Sequence, residues 1–244
     1  MRTIAIIQAR MGSTRLPGKA MMDILGMPML GRVISRLKLC SLIEDIVVAT
    51  TERTEDDLIE QFCQNQNTLC FRGSEMDVLG RYYQAALRYK AQTVVRITSD
   101  CPLIDPQVVD KVIAAYQKNV SHASGASNVI ERSYPRGLDT EVISMDALEK
   151  SWKESQKPHH REHVTSFVYE HPKLFKMQSV KNNEDLSHFR WTVDEVDDLR
   201  FVREIYQMML KRGQEQFFLN DIVALLKDNP DLIKINEAVR QKAI

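Results

Sequence analysis

Residues 4–19 read IAIIQARMGSTRLPGK and decide the fold more than any other stretch of this chain. The apolar run 4–7 predicts a buried strand, and the loop after it carries the cations Arg10, Arg15 and Lys19. In open α/β sheets, ligands bind beyond the carboxyl ends of the strands, where this loop is expected. Backbone N–H groups beside guanidinium and ammonium groups suit a polyphosphate. A solvated basic loop would have a similar composition and stays the alternative.

The loop matches neither of the two common phosphate-binding motifs. Its glycines lack the G-x-x-x-x-G-K-[ST] spacing of a Walker A loop and the G-x-G-x-x-G spacing of a dinucleotide site. Gly12 still lets backbone N–H groups approach a ligand, and Ser13 and Thr14 add short donors. The sequence therefore predicts a phosphate site of another type.

Composition describes an ordinary globular protein of 244 residues, with 43% hydrophobic and 27% charged residues. The 33 basic and 33 acidic residues balance, which argues against a nucleic-acid partner. No apolar run approaches the roughly 18–20 residues of a membrane span, and the N-terminal run is too short for a signal peptide. Four cysteines without metal-like spacing indicate reduced thiols in a cytoplasmic protein.

Apolar runs alternate with helical patterns in the first half of the chain, which predicts βαβ units and a mostly parallel sheet. The predicted strands there cover 3–8, 45–50, 68–71 and 93–98, and the predicted helices cover 28–39, 54–66, 76–90 and 106–117. The fold class is therefore α/β.

The pattern loosens between about 119 and 145 and then resumes. Further strands are predicted at 140–144, 175–180 and 189–193, and further helices at 145–156, 159–170 and 195–212, the last with Gly213 as its C-cap. No linker divides the chain. We expect a single domain over 1–244 with a small protruding subregion at about 130–180.

Two aspartates end apolar runs that are far apart in the sequence. Asp100 follows the run 94–97, and Asp194 follows Trp191-Thr192-Val193. A carboxylate at such a place points into the crevice at the edge of the sheet. Each aspartate could instead cap the helix after it, because Asp is a leading N-cap residue.

The stretch QARMGSTRLPGK at 8–19 resembles the opening signature of the cytidylyltransferase family, which activates acidic sugars such as 3-deoxy-manno-octulosonate (KDO) and sialic acids with CTP. The similarity is greatest to the spore coat polysaccharide biosynthesis (SpsF-like) branch. Other matching segments are FRGS at 71–74, VVRITSDCPLID at 94–105, YPRGLD at 134–139, REHV at 161–164 and RWTVD at 190–194. The resemblance runs to about residue 212. It implies a Rossmann-like, three-layer α/β/α sandwich of the nucleotide-diphospho-sugar transferase (GT-A-like) type.

The resemblance also implies where CTP binds. The nucleotide-binding residues would be Ala9, Arg10, Met11, Gly12, Ser13, Arg15, Lys19, Arg72 and Ser74. The three cations of the loop, together with Asp100, would be catalytic because they restrain and neutralise the phosphates. Asp100 and Asp194 would hold Mg²⁺, which takes one or two carboxylates plus phosphate oxygens. A plain turn with a solvent-facing Arg72 is the simpler interpretation of that residue.

We expect the loop-rich middle of the chain to contact the sugar, because binding residues lie disproportionately on loops that a rigid sheet positions. Arg136 beside a flexible glycine could hold the carboxylate of an acidic sugar, and Asp139 or Glu141 could contact its hydroxyls. A surface turn with scattered charges is the alternative. Family analogy leads us to expect a homodimer, formed through 130–180.

Two further patterns have simple structural interpretations. Asp77 and Arg81 are one helical turn apart, so an i,i+4 ion pair is the alternative to a ligand role. His159 and His163 could share a helix face, but no third ligand has a clear spacing and the H-E-x-x-H motif is absent. We therefore do not expect zinc.

Two other functions stay open. A glycosyltransferase can use a related fold with an acid-bound metal, but it would release no pyrophosphate. A non-catalytic regulatory protein would bind CTP without turnover. The cationic loop favours free triphosphate as the ligand, and the full set of cations and acids favours an enzyme.

Overall fold

The apolar runs of the first hundred residues form four neighbouring parallel strands in the computed structural model, which describes residues 1–241. These strands are β1 Thr3–Gln8, β2 Asp45–Thr51, β3 Leu69–Gly73 and β4 Thr93–Thr98. β1 lies between β2 and β4, and β3 lies outside β2. Apolar side chains occupy both faces of β1, as expected for a strand covered by helices on both sides.

Helices connect these strands and cover both faces of the sheet. They are α1 Met29–Leu37, α2 Asp57–Asn65, α3 Val78–Arg88 and α4 Pro106–Lys118. Side chains of α1, α2 and α4 pack against Ala5 and Ile7, whereas side chains of α3 pack against Ile4 and Ile6 on the opposite face. The predicted three-layer α/β/α sandwich is confirmed.

The second half of the chain extends the same sheet. Its strands are β5 Gly125–Ser127, β6 Glu141–Ser144 and β7 Met177–Ser179. The order across the sheet described for residues 1–241 is β3-β2-β1-β4-β6-β5-β7. Only the pairings of β6 are antiparallel, so the predicted mostly parallel sheet is confirmed. The predicted subregion at 130–180 thus contributes two strands to the main sheet.

The later helices are α5 Met145–Glu154, α6 Pro158–Glu162, α7 Ser166–Glu170, α8 Val196–Lys211 and α9 Leu219–Asp228. Of these helices, α5 and α7 pack into the core on the α3 face of the sheet, whereas α8 and α9 build a second apolar core beside the sheet. α8 and α9 bury one face against Trp191 and Val193. Gly213 follows α8 with φ +74°, the left-handed conformation of a glycine C-cap, as predicted. All four cysteines are free thiols.

Three predictions about elements differ from the structure. The predicted helix 159–170 is two short helices, α6 and α7, separated by three residues. The predicted strand 189–193 is wrong: Arg190 makes one isolated bridge to Arg136, and Val193 donates to the carbonyl of Asp100 instead of to a strand. The small polar stretch near 121–128 contains β5, which its composition did not indicate.

The order of the strands determines where the loop of residues 9–19 lies. Gln8 and Thr98 are partners at the carboxyl ends of β1 and β4. The loop and Asp100 therefore leave the sheet side by side. None of the helices described over residues 1–241 is both long and apolar enough to span a bilayer.

Candidate active site

The loop after β1 is closed by hydrogen bonds within itself. The amides of Ser13 and Gly18 both donate to the carbonyl of Met11 at 2.8 Å. The amide of Met11 donates to Oδ1 of the buried Asp56 at 2.6 Å, which fixes the loop to the segment after β2. Gly18 has φ +74°, which a glycine adopts without strain. This bonding turns the side chains after Ser13 toward the end of β4.

Lys19 joins the loop to both candidate aspartates. Its Nζ donates to Asp100 Oδ2 at 2.8 Å, to Asp194 Oδ1 at 3.1 Å and to the carbonyl of Val193 at 2.8 Å. Arg15 Nη2 lies 2.9 Å from the same oxygen of Asp194. The structure thus brings together two cations and two carboxylates that the sequence separates by up to 179 positions.

Asp100 is held by its neighbours and does not cap a helix. Its Oδ1 accepts from the hydroxyl of Thr98 at 2.6 Å. The cap of α4 is Asp105, whose Oδ1 accepts from the amides of Gln107 and Val108 at 2.8 and 3.2 Å. The carboxylate of Asp100 is therefore available to the cleft.

Asp194 is likewise not the cap of the helix that follows it. α8 begins after Glu195, and the buried Asp198 accepts from the amides of Asp194 and Glu195. Arg190 donates to Asp194 Oδ2 and to Asp198 Oδ1, both at 2.9 Å. Arg190 and Asp198 therefore hold Asp194 in place. The sequence pattern did not indicate that Arg190 bonds to both aspartates.

Charge pairing stabilises the ionised forms of this cluster. Burial alone would raise the pKa of Asp100, but the charge and hydrogen bond of Lys19 hold it below its usual value. Burial alone would lower the pKa of Lys19, but Asp100 and Asp194 raise it. Both groups are charged at neutral pH.

A cavity of about 640 Å³ opens beside this cluster. Seven of the predicted site residues line it: Ala9, Arg10, Ser13, Arg15, Lys19, Asp100 and Asp194. Its wall also includes residues outside the predicted site set, among them Arg81 on α3 and Arg161, Glu162 and His163 on and after α6. The REHV segment at 161–164 was the available signal for the second group.

Four predicted nucleotide-binding residues do not line the cavity. Met11 and Gly12 form the backbone of the loop, and the Ser74 hydroxyl accepts from the amide of Asp77 at 3.3 Å. Arg72 points to α2, where its Nη1 contacts Asp57 at 2.6 Å and Glu60 at 2.8 Å. Geometry gives no support for a direct contact between Arg72 and a nucleotide in this cavity.

The predicted sugar-binding residues lie outside the cavity. Arg136 lines a separate cavity of about 330 Å³ beside Arg190. Asp139 forms a bidentate pair with Arg132 at 2.6 and 3.0 Å. Glu141 is buried, and its role in contacting a sugar stays a prediction that this arrangement does not support.

His159, which the sequence places four positions before His163, clusters with His160 and Glu170. Glu170 lies 2.6 Å from Nε2 of His159 and 2.9 Å from Nε2 of His160, and these two hydrogen bonds lower its pKa to about 2. The three ligand atoms lie within 4.8 Å of one another, a spacing that could hold a metal ion. Lys157 Nζ, at 3.5 Å, supplies positive charge to the same carboxylate.

Comparisons with known proteins cover nearly the whole chain. The cytidylyltransferase family model matches residues 4–228. The spore coat polysaccharide biosynthesis protein SpsF of Bacillus subtilis is 30% identical over 240 residues, which cover 96% of this chain and 97% of that protein. The 3-deoxy-manno-octulosonate cytidylyltransferase of Geobacter sulfurreducens is 37% identical over 147 residues, which cover 59% of this chain and 57% of that protein.

A solved structure gives the same result for the fold. The structure of a cytidylyltransferase from Leptospira borgpetersenii superposes with a TM-score of 0.91 at 33% identity, covering 100% of this chain and 99% of that one. The family model spans both the loop after β1 and the segment that carries Asp194. This chain belongs to the cytidylyltransferase family.

Proposed function

We propose that this protein transfers CMP from CTP to an acidic sugar and releases pyrophosphate. The observation that carries the proposal is the cluster of Arg15, Lys19, Asp100 and Asp194 at the mouth of a cavity of about 640 Å³. Family membership supports nucleotidyl transfer, and the names of the SpsF and KDO cytidylyltransferase relatives support a sugar acceptor and a role in polysaccharide biosynthesis.

The reaction requires positioning and charge stabilisation more than covalent help from the protein. A sugar hydroxyl oxygen bonds to the α-phosphorus of CTP, the bond from that phosphorus to the bridging oxygen of the β-phosphate breaks, and the hydroxyl proton passes to solvent. Negative charge moves to the departing pyrophosphate. Arg15 and Lys19 stabilise that charge, and the cleft aligns the two reactants.

The donor set of the cluster fits Mg²⁺. Two carboxylates, from Asp100 and Asp194, converge on one ammonium group at 2.8 and 3.1 Å, so the site already accommodates a cation between them. Carboxylate oxygens are preferred ligands of Mg²⁺, which supplies charge neutralisation of phosphate oxygens when bound. We infer that these two aspartates would hold the ion.

The test is a screen for pyrophosphate release that combines each of the four nucleoside triphosphates with eight-carbon and nine-carbon acidic sugars. We expect release with CTP and at least one of these sugars. Release with no combination, together with transfer from a nucleotide sugar, would establish the glycosyltransferase alternative. Binding of CTP without turnover on any sugar would establish the regulatory alternative.

Metal removal forms the second part of the same screen. We expect EDTA to abolish pyrophosphate release and added Mg²⁺ to restore it. Full activity in EDTA would exclude the proposed roles of Asp100 and Asp194. The homodimer through 130–180 and the cytoplasmic location stay predictions.

A further inference from the structure

Arg81 is a buried cation that makes no ion pair with an acid of residues 1–241. It lies on the first turns of α3, is 3% exposed and lines the cavity. Its Nη1 donates to the carbonyl of Ser74 at 2.9 Å, and its Nε has no hydrogen-bond partner. Among the ion pairs within residues 1–241, none includes Arg81. Asp56 and Glu75 raise the pKa of Arg81 through their charges, but neither lies within ion-pair distance of its guanidinium.

The ion pair that the sequence predicts for Arg81 does not form. Asp77 caps α3, with its Oδ1 accepting from the amide of Gly80 at 2.8 Å. The other oxygen of Asp77 lies 3.5 Å from Arg161 Nη1 on α6, across the cavity wall. The carboxylate of Asp77 is thus paired with Arg161, and it forms no ion pair with Arg81.

The absence of a side chain at Gly73 leaves space for the side chain of Arg81. A Cβ added at Gly73 would lie 2.9 Å from Cγ of Arg81, so a larger residue there would displace the arginine stem. Burial is the main reason why the pKa of Arg81 lies below its usual value, and the charge of Arg10 adds to the effect. Leaving a buried charge unpaired is strongly unfavourable, so the arrangement suits an anion that enters with a ligand.

We propose that Arg81 binds an anionic oxygen group of a reactant in the cavity, assisted by Arg161. This inference rests on the proposed function and adds a binding residue to it. Arg15 and Lys19 are in direct ion pairs with carboxylates, whereas Arg81 makes no such pair within residues 1–241, so its guanidinium has unused capacity for a negative charge. The group is either a phosphate of the nucleotide or the carboxylate of the sugar, which share the geometry that a guanidinium fork recognises.

The experiment compares wild type with Arg81→Met, which removes the charge and retains an apolar stem. Arg88→Met is the matched control because Arg88 is an exposed arginine on the same helix. Calorimetry measures the affinity of each protein for CTP, CMP and cytidine, and then for KDO and a sialic acid in the presence of CMP. Thermal unfolding without ligand reports on the fold. None of these measurements needs turnover, so they succeed or fail independently of the pyrophosphate screen.

We expect Arg81→Met to weaken one class of ligand by about 10- to 100-fold, as for loss of a charged hydrogen bond. A loss for CTP and CMP but not for cytidine identifies the phosphate. A loss for the sugars alone identifies the carboxylate. Arg88→Met should match wild type throughout, and the Tm of Arg81→Met without ligand should not fall.

The proposal is overturned if every affinity of Arg81→Met stays within about twofold of wild type. It is also overturned if the Tm falls while affinities are unchanged, because that result assigns Arg81 a structural role. If wild type binds neither sugar, the nucleotide measurements alone decide the outcome.

Discussion

Lys19 is the residue that makes the cluster of two aspartates possible. Its ammonium group lies within 3.1 Å of both carboxylates, and Asp194 is also held by Arg15 and Arg190. Without these cations, two partly buried carboxylates would repel each other. We expect Lys19 and Arg15 to exchange carboxylate oxygens for phosphate oxygens when the nucleotide binds.

Lys19→Ala should reduce kcat by about 10²–10³-fold, the loss typical of removing one donor that stabilises charge in the transition state. Pyrophosphate release measures the rate, and circular dichroism checks that the fold is retained. Lys38→Ala, at the exposed end of α1, is the control and should keep full activity. Near-wild-type release by Lys19→Ala or by Arg15→Ala would show that the loop is not the phosphate site.

The sequence did not predict which cation of the site pairs with which carboxylate. The positions of Asp100 and Lys19 could be predicted, because the strand ends and the loop motif that place them are visible in the local sequence. The partner of an arginine depends on elements distant in the chain: Arg72 meets carboxylates of α2, and Arg81 meets none within residues 1–241. Neither arginine has an acid directly beside it in the sequence, so its neighbours do not reveal these different roles.

At the scale of elements, Glu141 ties α7, the helix after the cavity-lining α6, to the sheet. Its carboxylate on β6 pairs with Arg96 on β4 and accepts from Thr165 at 2.8 Å and from Tyr169 on α7 at 2.5 Å. α6 and α7 are short, and isolated helices of that length are unstable on their own. α6 lines the cavity, and α7, which follows it after three residues, is held to the sheet by buried contacts such as this one.

Glu141→Gln should lower the free energy of unfolding by about 3 kcal/mol at neutral pH, as for breaking a buried ion pair. Burial alone would raise the pKa of Glu141, but Arg96 and the hydrogen bonds hold it below the usual 4.5. The stabilisation is thus fully present above about pH 4.5 and is lost as the pH falls through the lower folded value.

Denaturant unfolding across pH checks this prediction. The difference between wild type and Glu141→Gln should shrink as the medium is acidified below pH 4.5. Glu154→Gln, an exposed residue at the end of α5, should match wild type at every pH. A difference that is independent of pH would mean that the charge of Glu141 does not contribute.

Helices and strands with a clear apolar pattern were predictable, whereas short elements whose identity depends on their partners were not. α8 and its Gly213 cap follow from spacing alone. The stretch 189–193 has the apolar residues of a strand, yet Trp191 and Val193 donate to Arg136 and Asp100 rather than to a neighbouring strand. β5 is three residues long and exists because β6 and β7 flank it.

At the scale of the whole molecule, the order of the strands assembles the site. β1 and β4 are adjacent, so the loop after Gln8 and the acid after Thr98 share one edge of the sheet. Asp194 reaches the same edge from the segment before α8, where Val193 is bonded to the carbonyl of Asp100 at 2.8 Å. Helices α3 and α6 close the other side and bring Arg81 and Arg161 to the cavity.

The most direct test of this account is a crystal structure of the protein with CTP and Mg²⁺. We predict the triphosphate in the cavity of about 640 Å³, within hydrogen-bond distance of Arg15 and Lys19, with metal density at Asp100 and Asp194. A nucleotide bound elsewhere, or one whose phosphates point away from the loop of residues 9–19, would contradict it.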